Sequence, residues 1–202
     1  MTGTESDNPA TGDLLDVYLP TYDVVLTEHL TVEADVSATY RAAHDLDFLR
    51  VRTPLLTAAF FVRGLPARLA RRPAPTLPEL RMFADPSSAG LPGWLILGQV
   101  PDREIAFGAV GKFWQPDIEW RDVPREEFAA FDDPGWGKIG CHFLVRPNGA
   151  NRSVLSYECR TSTTDPRSHK QMMRYWWLIR PFVGHIMRAT VRTIAADARR
   201  GT

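Results

Sequence analysis

The chain has little of what usually fixes a function at first sight. Only two cysteines, Cys141 and Cys159, occur in 202 residues, too few for the disulfide framework of a small secreted domain. No apolar run approaches the roughly 20 residues of a membrane span. The segment Met1–Asp13 is polar and lacks the apolar core of a secretory signal. The expectation is a cytoplasmic protein with reduced thiols and no stable membrane insertion. Charge of one sign is also missing. Lys+Arg and Asp+Glu number 24 each, which argues against a nucleic-acid partner held by phosphate neutralisation. None of His29, His44, His142, His169 and His185 stands at a metal-ligand spacing. Cys141 and His142 are neighbours on a strand and point to opposite faces, so they cannot share an ion. No metal and no cofactor are expected.

What is present is periodicity. From Thr164-Asp165-Pro166 a helical pattern runs to about Arg199. At 100° per residue, Met172, Trp176, Ile179, Val183, Ile186, Thr190 and Ile194 fall within about 40° of one direction. Lys170, Arg174, Arg188, Arg192 and Arg199 cluster on the other side. Asp165 reads as the N-cap and Pro166 as the first helical residue. Pro181 lies inside the helix and predicts a kink. Trp177 breaks the pattern: it either faces a partner or is covered by another part of the chain, such as residues 65–93.

Upstream the period changes from helical to alternating. Tyr22–Glu33 reads as a strand, with the carboxylate of Glu28 on its apolar face. Ser37–Leu46 reads as a helix capped by Ser37 or Asp35, and Pro54–Arg63 as a short helix closed by Gly64. Residues 65–80 form a basic, proline-rich connection. Trp94–Val100 and Glu104–Val110 are strands joined at Pro101-Asp102-Arg103; Arg125–Phe131 is a short helix or irregular. Ile139–Arg146 and Ser153–Thr161 form a hairpin about Pro147-Asn148-Gly149-Ala150. Residues 1–19 are read as a disordered leader and 20–202 as one domain carrying a long Pro/Arg-rich connection at about 65–93.

Strand, helices, antiparallel strands and a long terminal helix make an α+β fold with one sheet packed on one helix. The stretches Tyr22–Glu33, Ser37–Leu46, Phe113-Trp114-Gln115-Pro116, Trp136–Val145, and Thr164-Asp165-Pro166 through Tyr175-Trp176 and Arg180-Pro181 resemble the START-like superfamily. That superfamily includes polyketide cyclases and aromatases, lipid-transfer domains and plant pollen-allergen proteins. The resemblance covers most of residues 20–199. It implies a helix-grip fold, a curved antiparallel sheet wrapped around the C-terminal helix, often around a cavity. The segment 47–93 is longer than the helix pair usual in that family. The superfamily has no universal catalytic motif, so the resemblance assigns no catalytic residue.

The other motifs have plainer readings. Gly135-Trp136-Gly137-Lys138-Ile139-Gly140 has the glycine spacing of a dinucleotide fingerprint but follows a proline-rich loop and enters a strand, the wrong context. Its glycines, with Gly108 and Gly111, are expected to allow bulges or close backbone approach. Cys141 and Cys159 read as small buried hydrophobes. His29 and His142 are expected to be exposed or paired with neighbours. Glu158 and Arg160 project outward and are expected to pair. A pocket between sheet and helix would be lined by Glu28, Phe107, Trp114, Phe143, Tyr157, Trp176 and Ile179. Glu28 lines such a cavity unless a bulge or the sheet edge turns it to solvent. The function expected is binding of a small apolar molecule, lipid-like or polyketide-like. A cyclase or dehydratase using Glu28 or Tyr157 as acid or base is the alternative, and a filled-core interaction domain the third. A homodimer is left open.

Overall fold

The computed structural model describes residues 12–47 and 93–201. The helix expected at Pro54–Arg63 and almost all of the connection at 65–93 lie outside these residues. Six strands form one antiparallel sheet: β1 (Val24–Val32), β2 (Trp94–Val100), β3 (Glu104–Gly111), β4 (Trp120–Arg121), β5 (Gly137–Pro147) and β6 (Ser153–Thr163). The order is β1-β6-β5-β3-β2, with β4 pairing the end of β3. Four helices accompany them: α1 (Leu14–Tyr18), α2 (Val36–His44), α3 (Arg125–Phe128) and the 35-residue α4 (Pro166–Arg200). The α4 helix packs on β1, β6 and α2. This is the helix-grip arrangement, one sheet holding one long helix.

The inner face of the sheet follows from alternation. Leu26, Glu28 and Leu30 on β1 pair in register with Cys159, Tyr157 and Leu155 on β6, without a bulge. Tyr157 in turn opposes Phe143, and Cys159 opposes Cys141, on β5. Those side chains meet Met187, Val191, Ile194, Ala195 and Ala198 of α4 and Ala38, Tyr40 and Ala43 of α2 in one core. The expected stripe holds for Met172, Trp176, Thr190 and Ile194, which are buried, while Ile179, Val183 and Ile186 are half-buried. Asp35, not Ser37, caps α2, its carboxylate accepting from Ala38 N at 2.7 Å. The helix α4 continues through Pro181 as one element.

The start of α4 is held by Asp165. Its carboxylate accepts from Arg167 N at 2.8 Å, Ser168 N at 3.1 Å, Ser168 Oγ at 2.5 Å and, across the turn, Gly135 N at 2.7 Å. These bonds, led by that of the Ser168 hydroxyl, hold its pKa down at about 2.

The outer face is also covered, and here one expectation is corrected. Residues 13–19 are not part of a disordered leader: Leu14–Tyr18 is a helix, with Leu15 and Leu19 buried. The floor beneath it is made of glycine. A side chain on Gly98 would come within 3.1 Å of Leu14, and one on Gly140 within 3.1 Å of Leu15 and 3.3 Å of Leu19. Gly108 lies opposite Gly140, and a Cβ there would stand 2.9 Å from Phe128 Cζ and 2.8 Å from Ile139 O. Of the dinucleotide-like spacing, Gly137 and Gly140 serve close approach, while Gly135 has nothing within 4 Å and sits at φ +96°. Leu97, Ala106, Val110, Val123 and Phe128 form the outer cluster. Gly108→Ala is expected to lower unfolding free energy in urea by about 1–3 kcal/mol, because the backbone carbonyl cannot yield. Gly184→Ala in mid-α4 meets nothing closer than 3.7 Å and should raise stability by up to about 1 kcal/mol. Equal effects at the two sites would contradict this packing.

A second prediction concerns acid. Asp165 has a folded pKa below its ordinary 3.8, so its contribution is complete above about pH 4 and disappears as pH falls through about 2. Thermal melts of wild type and Asp165→Ala should differ most above that window and converge across it; a gap independent of pH would refute the role.

Candidate functional site

The inner face carries a diagonal of aromatic rings, one from each of four strands. Trp94 (β2) lies 5.8 Å from Phe107 (β3), Phe107 lies 5.5 Å from Phe143 (β5), and Phe143 lies 4.7 Å from Tyr157 (β6). Glu28 on β1 continues this line beyond Tyr157, directly opposite it in register. Alternation puts all five side chains on one face; antiparallel pairing sets them side by side. Phe107, Phe143 and Tyr157 are buried, Trp94 and Glu28 half-buried.

At its open end the diagonal meets a charge pair. Arg188 Nη1 of α4 donates to Glu28 Oε1 at 2.9 Å, with the Arg188 side chain 49% and the Glu28 side chain 24% exposed. Arg188, read from the helical wheel as solvated, therefore leans over the sheet edge. It passes Gly184, one turn earlier, at ordinary contact distance: the guanidinium lies 3.7 Å from where a Cβ would be. Burial raises the Tyr157 phenol well above its ordinary value, keeping it protonated. Its hydroxyl is a neutral donor beside Cys141, with which it shares a hydrogen bond.

Among the described residues, the main core cluster takes α4 side chains from Val183 to Ala198, while Met172 and Trp176 nearer the start of the helix are buried as well. Trp176 lies beyond that cluster and, with Val24, Val25, Met173, Trp177, Arg180 and Pro181, lines a groove of about 620 Å³ at the β1 edge. Ile179 is half-buried between these regions. Trp114 stands apart, in a crevice of about 280 Å³ with Lys112, Gln115, Gly135, Arg167, Ser168 and Gln171 at the start of α4. Of the seven residues named from sequence, Glu28, Phe107, Phe143 and Tyr157 thus form one continuous line, Trp176 and Ile179 belong to the half of α4 beyond the core, and Trp114 belongs elsewhere. Trp177 is 83% exposed.

The sequence matches no family model, and no curated protein matches it. Three solved structures are similar in fold. Norcoclaurine synthase from Thalictrum flavum is 11% identical, with a TM-score of 0.36 over 88% of this chain and 95% of that one. CalU16 from Micromonospora echinospora is 13% identical, with a TM-score of 0.30 over 87% and 88%. The Zhui aromatase/cyclase from Streptomyces sp. R1128 is 11% identical, with a TM-score of 0.30 over 88% and 94%. Likeness this loose assigns no activity. The helix-grip arrangement rests on this chain's own element order and sheet.

The remaining polar candidates resolve structurally. His142 is paired but not exposed: it is 2% exposed on the outer face, with Nδ1 2.5 Å from Glu104 Oε1. Glu104, itself 1% exposed, also accepts from Leu14 N at 2.9 and 3.0 Å. That carboxylate pins α1 to β3, and sequence reading missed it. The signal was available: β3 has no polar alternation apart from Glu104, as expected of a strand covered on both faces. His29 Nδ1 lies 2.8 Å from Ser156 Oγ, and Arg160 Nε donates to Glu158 Oε1 at 2.7 Å. Among the described residues no cluster of three or more His, Cys, Asp or Glu could hold a metal.

Cys141 and Cys159 are free, buried and directly opposed across β5 and β6. Burial, reinforced by the hydrogen bond to Cys159, pushes the Cys141 thiol well up. Both thiols should therefore resist a soluble aromatic disulfide reagent in the native protein at neutral pH and react promptly in denaturant. Rapid labelling of the folded chain would show that this face opens.

Proposed function

We propose that the chain binds a small hydrophobic ligand, lipid-like or polyketide-like, along the inner face of the sheet under the first half of α4. The observation that carries this reading is the ring diagonal Trp94–Phe107–Phe143–Tyr157, which ends on the Glu28–Arg188 pair at the rim. A line of rings that α4 and α2 cover and that ends on one polar pair suits an amphiphile or a fused aromatic with a polar end, which would displace part of that cover. Its body would lie on the rings, and its terminus would compete for the carboxylate or the guanidinium. Supporting this, Trp176 of α4 lines the groove at the β1 edge with Val24, Val25 and Met173.

A catalytic reading requires two polar groups converging on one reacting atom. Glu28 and Tyr157 are opposed on adjacent strands, but the Glu28 carboxylate is held by Arg188. Binding is the better supported of the two.

The test is twofold. Native mass spectrometry of the purified chain reports any copurified amphiphile. Titration of long-chain fatty acids and flat polyphenols against tryptophan fluorescence should give saturable quenching, reduced in Trp176→Ala. Glu28→Gln is expected to weaken ligands with a polar terminus about tenfold, the equivalent of about 1.4 kcal/mol, and to leave purely apolar ligands unchanged. A chain with its bare sequence mass and no saturable quenching by either class would remove the proposal. Turnover of a bound polyketide that Glu28→Gln abolishes, with binding intact, would favour the enzyme instead.

A further inference from the structure

The middle of α4 turns an unusual surface outward. Between Asp165 and Asp197 the helix carries Arg167, Lys170, Arg174, Arg180, Arg188 and Arg192 and no acidic residue, in a chain whose charges balance as a whole. All six are exposed. Arg188 is engaged by Glu28; among the described residues, Lys170, Arg174 and Arg180 have no carboxylate partner. Set among them are Trp177 at 83% exposure, Leu178 at 62% and Phe182 at 39%. At 100° per residue, Lys170, Arg174, Trp177, Leu178, Pro181 and Phe182 share one outward sector opposite the core stripe. The adjoining edge of β1 adds exposed Tyr22 and Val25.

Three bulky apolar side chains on one solvent-facing turn and a half of helix, ringed by cations, are more than the isolated exposed hydrophobes of an ordinary surface. We propose that this sector of α4 is a docking surface for an anionic phospholipid bilayer. Trp177, Leu178 and Phe182 would enter the headgroup–acyl boundary, with Lys170 and Arg174 of the same sector on the lipid phosphates and Arg180 at its margin, on the groove side. The chemistry matches at each element: tryptophan prefers the membrane interface, arginine extends its charge toward the headgroups over an apolar stem, and a basic helix with an apolar patch lies in the interface plane. No helix described is long and apolar enough to cross a membrane, so contact is peripheral. A second copy of the chain fits less well. A two-fold interface would set this patch against itself and bring the cations together with no carboxylate between them. A nucleic acid would satisfy the cations but leave Leu178 and Phe182 without apolar contact. The groove lined by Val24, Met173 and Trp176 shares Trp177, Arg180 and Pro181 with the patch, whereas Leu178 and Phe182 stand outside it.

The experiment is cosedimentation of the full chain with vesicles of phosphatidylcholine alone and with about 30% phosphatidylserine, at low and at half-molar salt. Binding is expected only with the anionic lipid and should fall at least tenfold at high salt. Two variants at exposed positions, Trp177→Ala/Leu178→Ala and Arg174→Gln/Arg180→Gln, should each weaken it about tenfold or more while circular dichroism stays unchanged. Equal binding to neutral vesicles, no binding to either, or variants that bind as wild type would overturn the proposal. So would a concentration-dependent dimer abolished by Trp177→Ala/Leu178→Ala, or retention on duplex DNA without vesicle binding.

Discussion

The carboxylate of Asp165 sets the angular phase of everything on α4. By accepting from Arg167 N and both donors of Ser168 it fixes where the helix begins; by accepting from Gly135 N it fixes that beginning against the loop entering β5. Thr164 repeats the tie, its hydroxyl exchanging hydrogen bonds with the backbone of Trp136 at 3.1 Å. A helix rotates about 100° with each residue, so a one-residue shift in this start would turn Trp176 out and Trp177 in. Two adjacent tryptophans with opposite fates, one 8% and the other 83% exposed, are the direct consequence of a well-defined start. A long helix magnifies small errors of this kind, and the strength of the cap answers that demand.

The sheet imposes a second constraint. Every residue of β3 is buried, so both faces need a cover, and the two covers differ in kind. On the inner face large side chains project toward α4 and α2. On the outer face Gly98, Ala106, Gly108 and Gly140 remove side chains altogether, and α1 and Phe128 come down almost onto the backbone. A face that small residues have closed at near-contact distance offers nothing to a ligand, so the proposed ligand would have to lie on the inner, ring-paved face.

Much of this was legible in the residue pattern. Alternation gave β1, the β5–β6 hairpin and the inward placement of Phe107, Phe143 and Tyr157, because antiparallel strands hold a strict period of two. Asp165-Pro166 marked the start of α4, because capping is local chemistry. Three features were not legible. The α1 helix has five residues, too short for a periodic signal, and exists only through tertiary contact. Glu104 and His142 are 38 positions apart, and their pairing depends on β3–β5 register. Arg188 looked like a member of a solvated face because a helical wheel records direction, not what stands beside the helix; β1 stands there.

Two acids of the sheet, one on each face, differ in how they are closed off. Glu104 and Glu28 are the same side chain on strands of one sheet, facing opposite sides. Glu104 is closed off, and the Leu14 amide and His142 occupy its carboxylate. Every partner is supplied from within the chain, as a sealed carboxylate requires. Glu28 sits on the edge strand with a single partner, Arg188, itself half in solvent. An ion pair at such a rim contributes under about 1 kcal/mol to stability, so folding alone gives little reason to end an aromatic diagonal on it. A rim pair can exchange its partners at small cost, for water or for the polar end of an incoming molecule, whereas Glu104 cannot release either donor without exposing a charge inside the outer layer. The weakness of the Glu28–Arg188 pair is thus the property on which the proposed recognition depends.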